Sequence, residues 1–255
     1  MKLAILDTVP KSFWPLDEGI TDGQKFMDWL KVDMPDWEME IFYVSEMPTP
    51  GLASGLTSGL TIEHNWGGFD GFLITGSPMS VHDDLPWIPH LEQFIRALYQ
   101  ARVKLAGFCF GHQLIAKALG GEVKANERGW LIGLYELETE ITPKWMATTP
   151  TSTRVYHFNK ERVHTLPRGA KSFASCEGYE HFGYVIDDHI MAIQGHPEQP
   201  RRAMKNFFNA LVEGSDDSDW DHPEFVSQVH QRIDSGQPDS RLWAKWSARF
   251  FGARF

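Results

Sequence analysis

The stretch Val103-Lys104-Leu105-Ala106-Gly107-Phe108-Cys109-Phe110-Gly111-His112-Gln113-Leu114-Ile115-Ala116-Lys117-Ala118-Leu119-Gly120-Gly121 decides the fold class. Val103 to Phe108 is an apolar run of strand length. Gln113 to Leu119 is apolar with helical spacing and finishes at Gly120-Gly121, the usual residues for a left-handed helix end. Cys109 therefore sits between a buried strand and a helix, in a Gly-x-Cys-x-Gly pattern. A sharp strand-to-helix turn needs small flanking residues because neighbouring backbone crowds it, and it presents its central side chain at the carboxyl edge of a sheet. The positive end of the helix dipole and its unpaired N–H groups favour thiolate over thiol at such a position.

The rest of the chain repeats the alternation. Lys2 to Leu6 reads as a strand, Gly23 to Val32 as a helix through Phe26, Met27 and Leu30, and Glu38 to Val44 as a second strand. Met47 to Thr61, rich in Pro, Gly, Ser and Thr, reads as a loop. Gly71 to Thr75 is a strand ending in Gly76-Ser77-Pro78, and Trp87 to Ala101 is helical in pattern. Beyond Cys109, short strands are expected at Gly133 to Ile141, Thr153 to Phe158, Ala170 to Ser175, Phe182 to Asp187 and His189 to Gln194. After Pro200, a helix carrying Met204, Phe207, Phe208 and Leu211 closes the core. The class is α/β, with a central mostly parallel mixed sheet flanked by helices and an antiparallel portion late in the chain.

A thiolate that expels an amine needs a proton donor and acceptor, and histidine suits that task near neutrality. His196 follows the apolar run Met191-Ala192-Ile193, so a strand again delivers a polar residue to its carboxyl end, the side where open α/β sheets bind ligands. Glu198, two residues on, can orient the ring and stabilise the imidazolium. The tripeptide recurs as His222-Pro223-Glu224 after Asp216, Asp217, Asp219 and Asp221, with no strand before it, and is expected to be a solvated loop. Acyl transfer also needs donors for a developing oxyanion. The N–H of Phe110 and the loop Gly76-Ser77-Pro78 are the two sources.

Composition narrows the functions further. With 255 residues, 42% hydrophobic and 13% aromatic, the chain can bury a full core without disulfide or metal staples. A net charge of -10 disfavours nucleic acid and anionic membrane surfaces, which leaves small-molecule chemistry as the expectation. The opening MKLAILDT is too short in apolar residues for a signal-peptide core or a span, and two cysteines make no disulfide framework; both predict a cytoplasmic protein with reduced thiols. None of the 11 histidines forms His-x-x-x-His or sits in a Cys/His array, so no metal and no cofactor is expected.

Gly107, Cys109, Gly111 and Gln113, with His196, Pro197 and Glu198, resemble the nucleophile and closing motifs of class I glutamine amidotransferases, the Cys-His-Glu triad type. The resemblance spans roughly residues 40 to 200 and implies that family's flavodoxin-like fold. It implies Cys109, His196 and Glu198 as catalytic residues, Ser77 and Phe110 as oxyanion donors, and Gly76, Gln113, His157 and Phe158 as substrate-binding residues, the last two within Tyr156-His157-Phe158-Asn159. Where the family carries Gly-Gly-Pro, this chain has Gly76-Ser77-Pro78, a spelling similar to the stand-alone branch that includes γ-glutamyl peptidases. Serine resists positive φ more than glycine does, so the loop must either flip a peptide or be fixed in its active form.

The implied activity is hydrolysis of the γ-glutamyl amide of glutamine or a related compound through a Cys109 thioester. The same residues serve a glutaminase subunit feeding ammonia to a separate synthase, a γ-glutamyl transferase, or a silent binding protein of the same fold. The expected partners are a small γ-glutamyl substrate and either a synthase or a second copy of the chain. Residues 1–214 read as the catalytic domain and 215–255 as an extension. Leu242, Trp246 and Phe250 fall at i, i+4, i+8 there, which predicts a helix packed on the domain or forming an interface.

Overall fold

The computed structural model describes residues 1–17, 19–46, 68–146, 150–214, 220 and 222–253. The Met47 to Thr61 loop, the acidic run Asp216 to Asp219, and Asp221 lie outside the described residues. The first half alternates as the pattern requires: β1 (Lys2–Asp7), α1 (Asp22–Lys31), β2 (Glu38–Tyr43), β3 (Gly71–Ile74), α2 (Trp87–Gln100), β4 (Lys104–Phe108) and α3 (Phe110–Ala118). The second half is mainly strands: β5 (Glu122–Ala125), β6 (Leu131–Thr139), β7 (Ser152–Asn159), β8 (Glu161–Thr165), β9 (Ala170–Cys176), β10 (Tyr179–Ile186) and β11 (Ile190–Ile193). Helices α4 (Arg201–Gly214), α5 (Pro223–Asp234) and α6 (Ser240–Phe251) follow.

Nine strands form one mixed sheet in the order β2-β1-β3-β4-β11-β10-β9-β6-β7. The run from β2 to β11 is parallel, and the run from β11 to β7 is antiparallel. Period-two alternation sorts the parallel strands onto two faces. Leu3, Ile5, Leu73, Ala106, Phe108, Met191 and Ile193 meet α1 and α6 on one face. Ala4, Leu6, Phe72, Ile74, Leu105, Ile190 and Ala192 meet α2 and α3 on the other. Strand β11 pairs with β4 so that Ile193 lies beside Phe108, which brings the segments following both strands to the same sheet edge.

One expectation needs correction, and one element was not expected. His222-Pro223-Glu224 is not a loop: His222 is the N-cap of α5 and Pro223 its first residue, a position where proline's fixed φ and missing N–H suit a helix start. Its exposure to solvent stands. The small β5–β8 ribbon was not read, since β5 buries only Val123.

The last helix packs inward. Trp243, Trp246, Phe250 and Phe251 are buried in the core that contains Phe26, Phe108 and Phe173. The Trp29 indole N–H bonds Ser240 O at 3.1 Å and Oγ at 3.0 Å, fastening α6 to α1. Among the described residues no helix is long and apolar enough to cross a membrane.

Candidate active site

Cys109 links β4 to α3 with φ 47° and ψ -102°, a conformation a β-carbon disfavours by about 1–3 kcal/mol. Neighbouring strands hold it there. Cys109 N–H donates to Ile193 O at 2.9 Å on β11, and Gly111 N–H donates to Thr75 O at 3.2 Å beyond β3. The flanking glycines are required by close approach: a Cβ at Gly107 would lie 2.6 Å from Gly111 O, and one at Gly111 would lie 2.6 Å from Ile74 O.

Three residues beyond β11, His196 faces the same point. Its backbone N–H is held by Tyr156 O at 2.7 Å, and its Nδ1 lies 2.9 Å from Glu198 Oε1. Both side chains are buried. Burial opposes a charged ring, yet the attractions of Cys109 and Glu198, together with hydrogen bonds to both, outweigh it and raise the His196 pKa well above the ordinary histidine range. Glu198 Oε2 has no hydrogen-bond partner among the described residues, so the His196 ring is the principal partner of this carboxylate.

The sequence model described as glutamine amidotransferase class-I matches residues 56–213, more than half of the chain. The chain belongs to the class I glutamine amidotransferase family. Among its relatives, gamma-glutamyl peptidase 4 of Arabidopsis thaliana is 29% identical over 187 residues, covering 71% of this chain and 73% of the relative. One component of the glutamine-hydrolysing GMP synthase of Sulfolobus acidocaldarius is 32% identical over 132 residues, covering 51% of this chain and 68% of that one. A glutamine amidotransferase of Thermotoga maritima superposes with a TM-score of 0.71 at 19% identity, covering 99% of this chain and 98% of that chain, a likeness of fold.

In this member of the family the loop after β3 is firmly tied. Ser77 Oγ donates to Thr8 O at 2.8 Å and accepts from Met79 N–H at 3.3 Å, while Thr8 Oγ1 donates to Gly76 O at 2.8 Å. Ser77 is not among the residues at positive φ, so its side chain does not strain the loop. A Cβ at Gly76 would lie 2.7 Å from His196 Cε1, which explains glycine there. The Phe110 ring is buried against Trp87, leaving its backbone N–H in the first turn of α3, where helices have no internal acceptor to offer.

The structure brings together Cys109, His196, Glu198, Ser77, Phe110, Gly76 and Phe158, but it places Gln113 and His157 differently from the family reading. Gln113 is buried behind the cysteine, with Nε2 donating to Gln194 Oε1 at 3.0 Å and Glu161 O at 3.1 Å. It reaches the sulfur only through Gln194. His157 points from β7 into the opposite side, among the rings of Tyr135, Tyr179 and Phe182. Burial, then the neighbouring His196 and His112, lower its pKa well below the ordinary range and keep it neutral.

Two residues that touch the sulfur were not anticipated. Gln194 Nε2 donates to Cys109 Sγ at 3.4 Å, and Asn159 Nδ2 approaches it at 3.7 Å. The signal for both was their position at the carboxyl end of an expected strand.

A cavity of about 360 Å³ opens beside Cys109 and His196. Cys109, Ser77, His196 and Phe158 are among the residues that line it. Asp22 and Gln199 also line it, joined by a 3.1 Å hydrogen bond, and Lys25 Nζ pairs with Asp22 at 2.8 Å. Next to Asp22 is the wholly buried Asp7, whose pKa is raised to about 6 by burial and then by the Asp22 charge, against hydrogen bonds from Gly23 and Val9.

Proposed function

We propose that the protein hydrolyses a γ-glutamyl amide through a thioester on Cys109. The observation that carries this reading is the meeting of Cys109, in its constrained turn, with the buried His196–Glu198 pair at adjacent strand ends. The Cys109 thiolate attacks the γ-carbonyl carbon, and the electron pair moves onto oxygen, where the backbone N–H groups of Phe110 and Ser77 receive it. The carbonyl then reforms, the C–N bond breaks, and imidazolium His196 gives its proton to the leaving nitrogen. Water, deprotonated by His196, attacks the thioester; the C–S bond breaks, glutamate departs and the thiolate–imidazolium pair returns. Glu198 keeps the ring oriented throughout and stabilises its charged form.

Family membership and the likeness to gamma-glutamyl peptidases support this reaction class. A second reading is a glutaminase subunit serving a synthase, favoured by the likeness to the GMP synthase component; its signature is ammonia release from glutamine only with the partner added. In either case we read residues 1–214 as the catalytic unit and 215–255 as an extension that completes its core. A reducing, cytoplasmic setting suits a free thiol nucleophile.

The test is glutamate release from γ-glutamyl amides. Cys109→Ala abolishes it with the fold retained, while Cys176→Ala retains most activity, because Cys176 lies away from the triad and burial pushes its thiol up to about 12. Equal loss in both variants contradicts the assignment.

A further inference from the structure

The cavity beside Cys109 is larger and more apolar than glutamine requires. Glutamine expels ammonia, whereas about 360 Å³ lies within the range of sites that enclose whole small molecules. Besides Cys109 and His196, the lining includes Met204, Phe207, Ala210 and Leu211 of α4. Val9, Phe13 and Pro78 add further apolar surface. Away from the triad its charged member is Asp22, and no Lys or Arg is among the described residues lining it. Lys25, behind this wall, is engaged by Asp22 and lies over the Phe207 ring at 5.0 Å.

We infer that this cavity receives the leaving amine, and that the substrates are γ-glutamyl amides whose amine carries an uncharged alkyl or aryl group and no carboxylate. The inference rests on hydrolysis through Cys109 as proposed above. His196 hands its proton to the leaving nitrogen, so the substituent on that nitrogen must extend on the His196 side, into the space walled by Gln199 and α4. The glutamyl end carries a carboxylate as well as an ammonium, and the lining, with Asp22 its charged member away from the triad, offers that carboxylate no cation. A peptide leaving group brings a carboxylate too. Beside Asp22 and without a cation it would be desolvated and unpaired, which is strongly unfavourable. An uncharged phenylalkyl or alkyl group instead gains from burial against Phe207 and Leu211.

The experiment compares kcat/KM for glutamine, γ-glutamylphenylalanine and γ-glutamylphenethylamide. The last two share the phenylalkyl group and differ by one carboxylate. The amide is expected to exceed each of the others by at least about tenfold. Glutamine or γ-glutamylphenylalanine being turned over as well as the amide overturns the inference while leaving the thioester chemistry standing. Turnover of none of the three, with no acyl adduct on Cys109, overturns both. Ala210→Lys puts a cation on the wall of a helix that tolerates it and is expected to narrow the amide-to-phenylalanine ratio by about tenfold. Leu211→Lys reads the same ratio one residue along. A ratio unchanged in whichever variant melts like the parent contradicts the assignment.

Discussion

Gln194 Nε2 donates a hydrogen bond to Cys109 Sγ at 3.4 Å, and Gln194 Oε1 is held from behind by the Tyr179 hydroxyl at 2.7 Å and Gln113 Nε2 at 3.0 Å. All four side chains are buried, and two donors on one oxygen fix which end of the Gln194 amide faces the sulfur. Through this relay Gln113 bears on Cys109, the proposed nucleophile, by way of a neighbour.

A hydrogen bond to a charged group contributes about 1.5–3 kcal/mol. Gln194→Leu is therefore expected to lower kcat/KM by roughly tenfold to a hundredfold and to slow alkylation of Cys109 by iodoacetamide at neutral pH. Gln113→Leu should produce a smaller loss of the same kind. Alkylation at the parent rate in Gln194→Leu would show that the sulfur does not depend on this donor.

In the proposed mechanism the charged His196 ring sets the alkaline side of activity. Its folded pKa is raised, so the stability it contributes is complete below histidine's unfolded pKa and is lost as pH rises through the folded value. Glu198→Gln removes one of the attractions raising that pKa, and the alkaline limb of the kcat/KM profile is expected to move to lower pH. His196→Asn should cost about a hundredfold to ten-thousandfold, whereas His222→Asn, at the exposed start of α5, should be nearly silent. An unmoved limb in Glu198→Gln would contradict the pairing.

Asp7 titrates in the opposite sense to most native carboxylates. Raised from 3.8 to about 6, it contributes stability that is present below the unfolded value and is lost as pH rises through about 6, a change of about 3 kcal/mol. Asp7→Asn cannot lose a proton, so its melting temperature relative to the parent should climb as pH goes from 4 to about 7. Melting curves recorded as parent–variant pairs across that interval check it; a constant difference would mean that Asp7 ionises normally.

The C-terminal helix is expected to be a structural necessity. Trp246 is wholly buried beneath the sheet, and Trp246→Ala should destabilise by about 3–5 kcal/mol. Truncation after Gly214 removes Trp243, Phe250 and Phe251 as well, uncovering Phe108 next to the nucleophile. Thermal unfolding and sedimentation decide the matter: a truncated chain that melts and sediments like a folded monomer would make the extension dispensable.

The motifs of the candidate site were legible because each is local. A strand, a cysteine and two glycines lie within a dozen residues, and His196 and Glu198 follow a strand within one tripeptide. The two-faced parallel sheet was legible from its apolar runs. Contacts across the fold were not: Gln194 and Asn159 meet Cys109 from 85 and 50 residues away, and their place at strand ends names a sheet edge without naming the side chain they touch. Helix α4 shows the same limit, since its apolar residues read as core, yet Phe208 is buried while Phe207 and Leu211 line the cavity. His157 was assigned from family likeness, although alternation along β7 sets it opposite Tyr156 and Phe158. Pro223 at the start of α5 was a signal present in the sequence, masked by the acidic residues before it.

The central claim is that Cys109 carries the acyl group. Intact-mass spectrometry of the protein quenched in acid during turnover of a γ-glutamyl amide tests it most directly. The account predicts a species heavier by one glutamyl residue, its modification mapped to Cys109, absent from Cys109→Ala and sensitive to hydroxylamine as a thioester is. An adduct that persists in Cys109→Ala, or turnover by that variant at the parent rate, would contradict it.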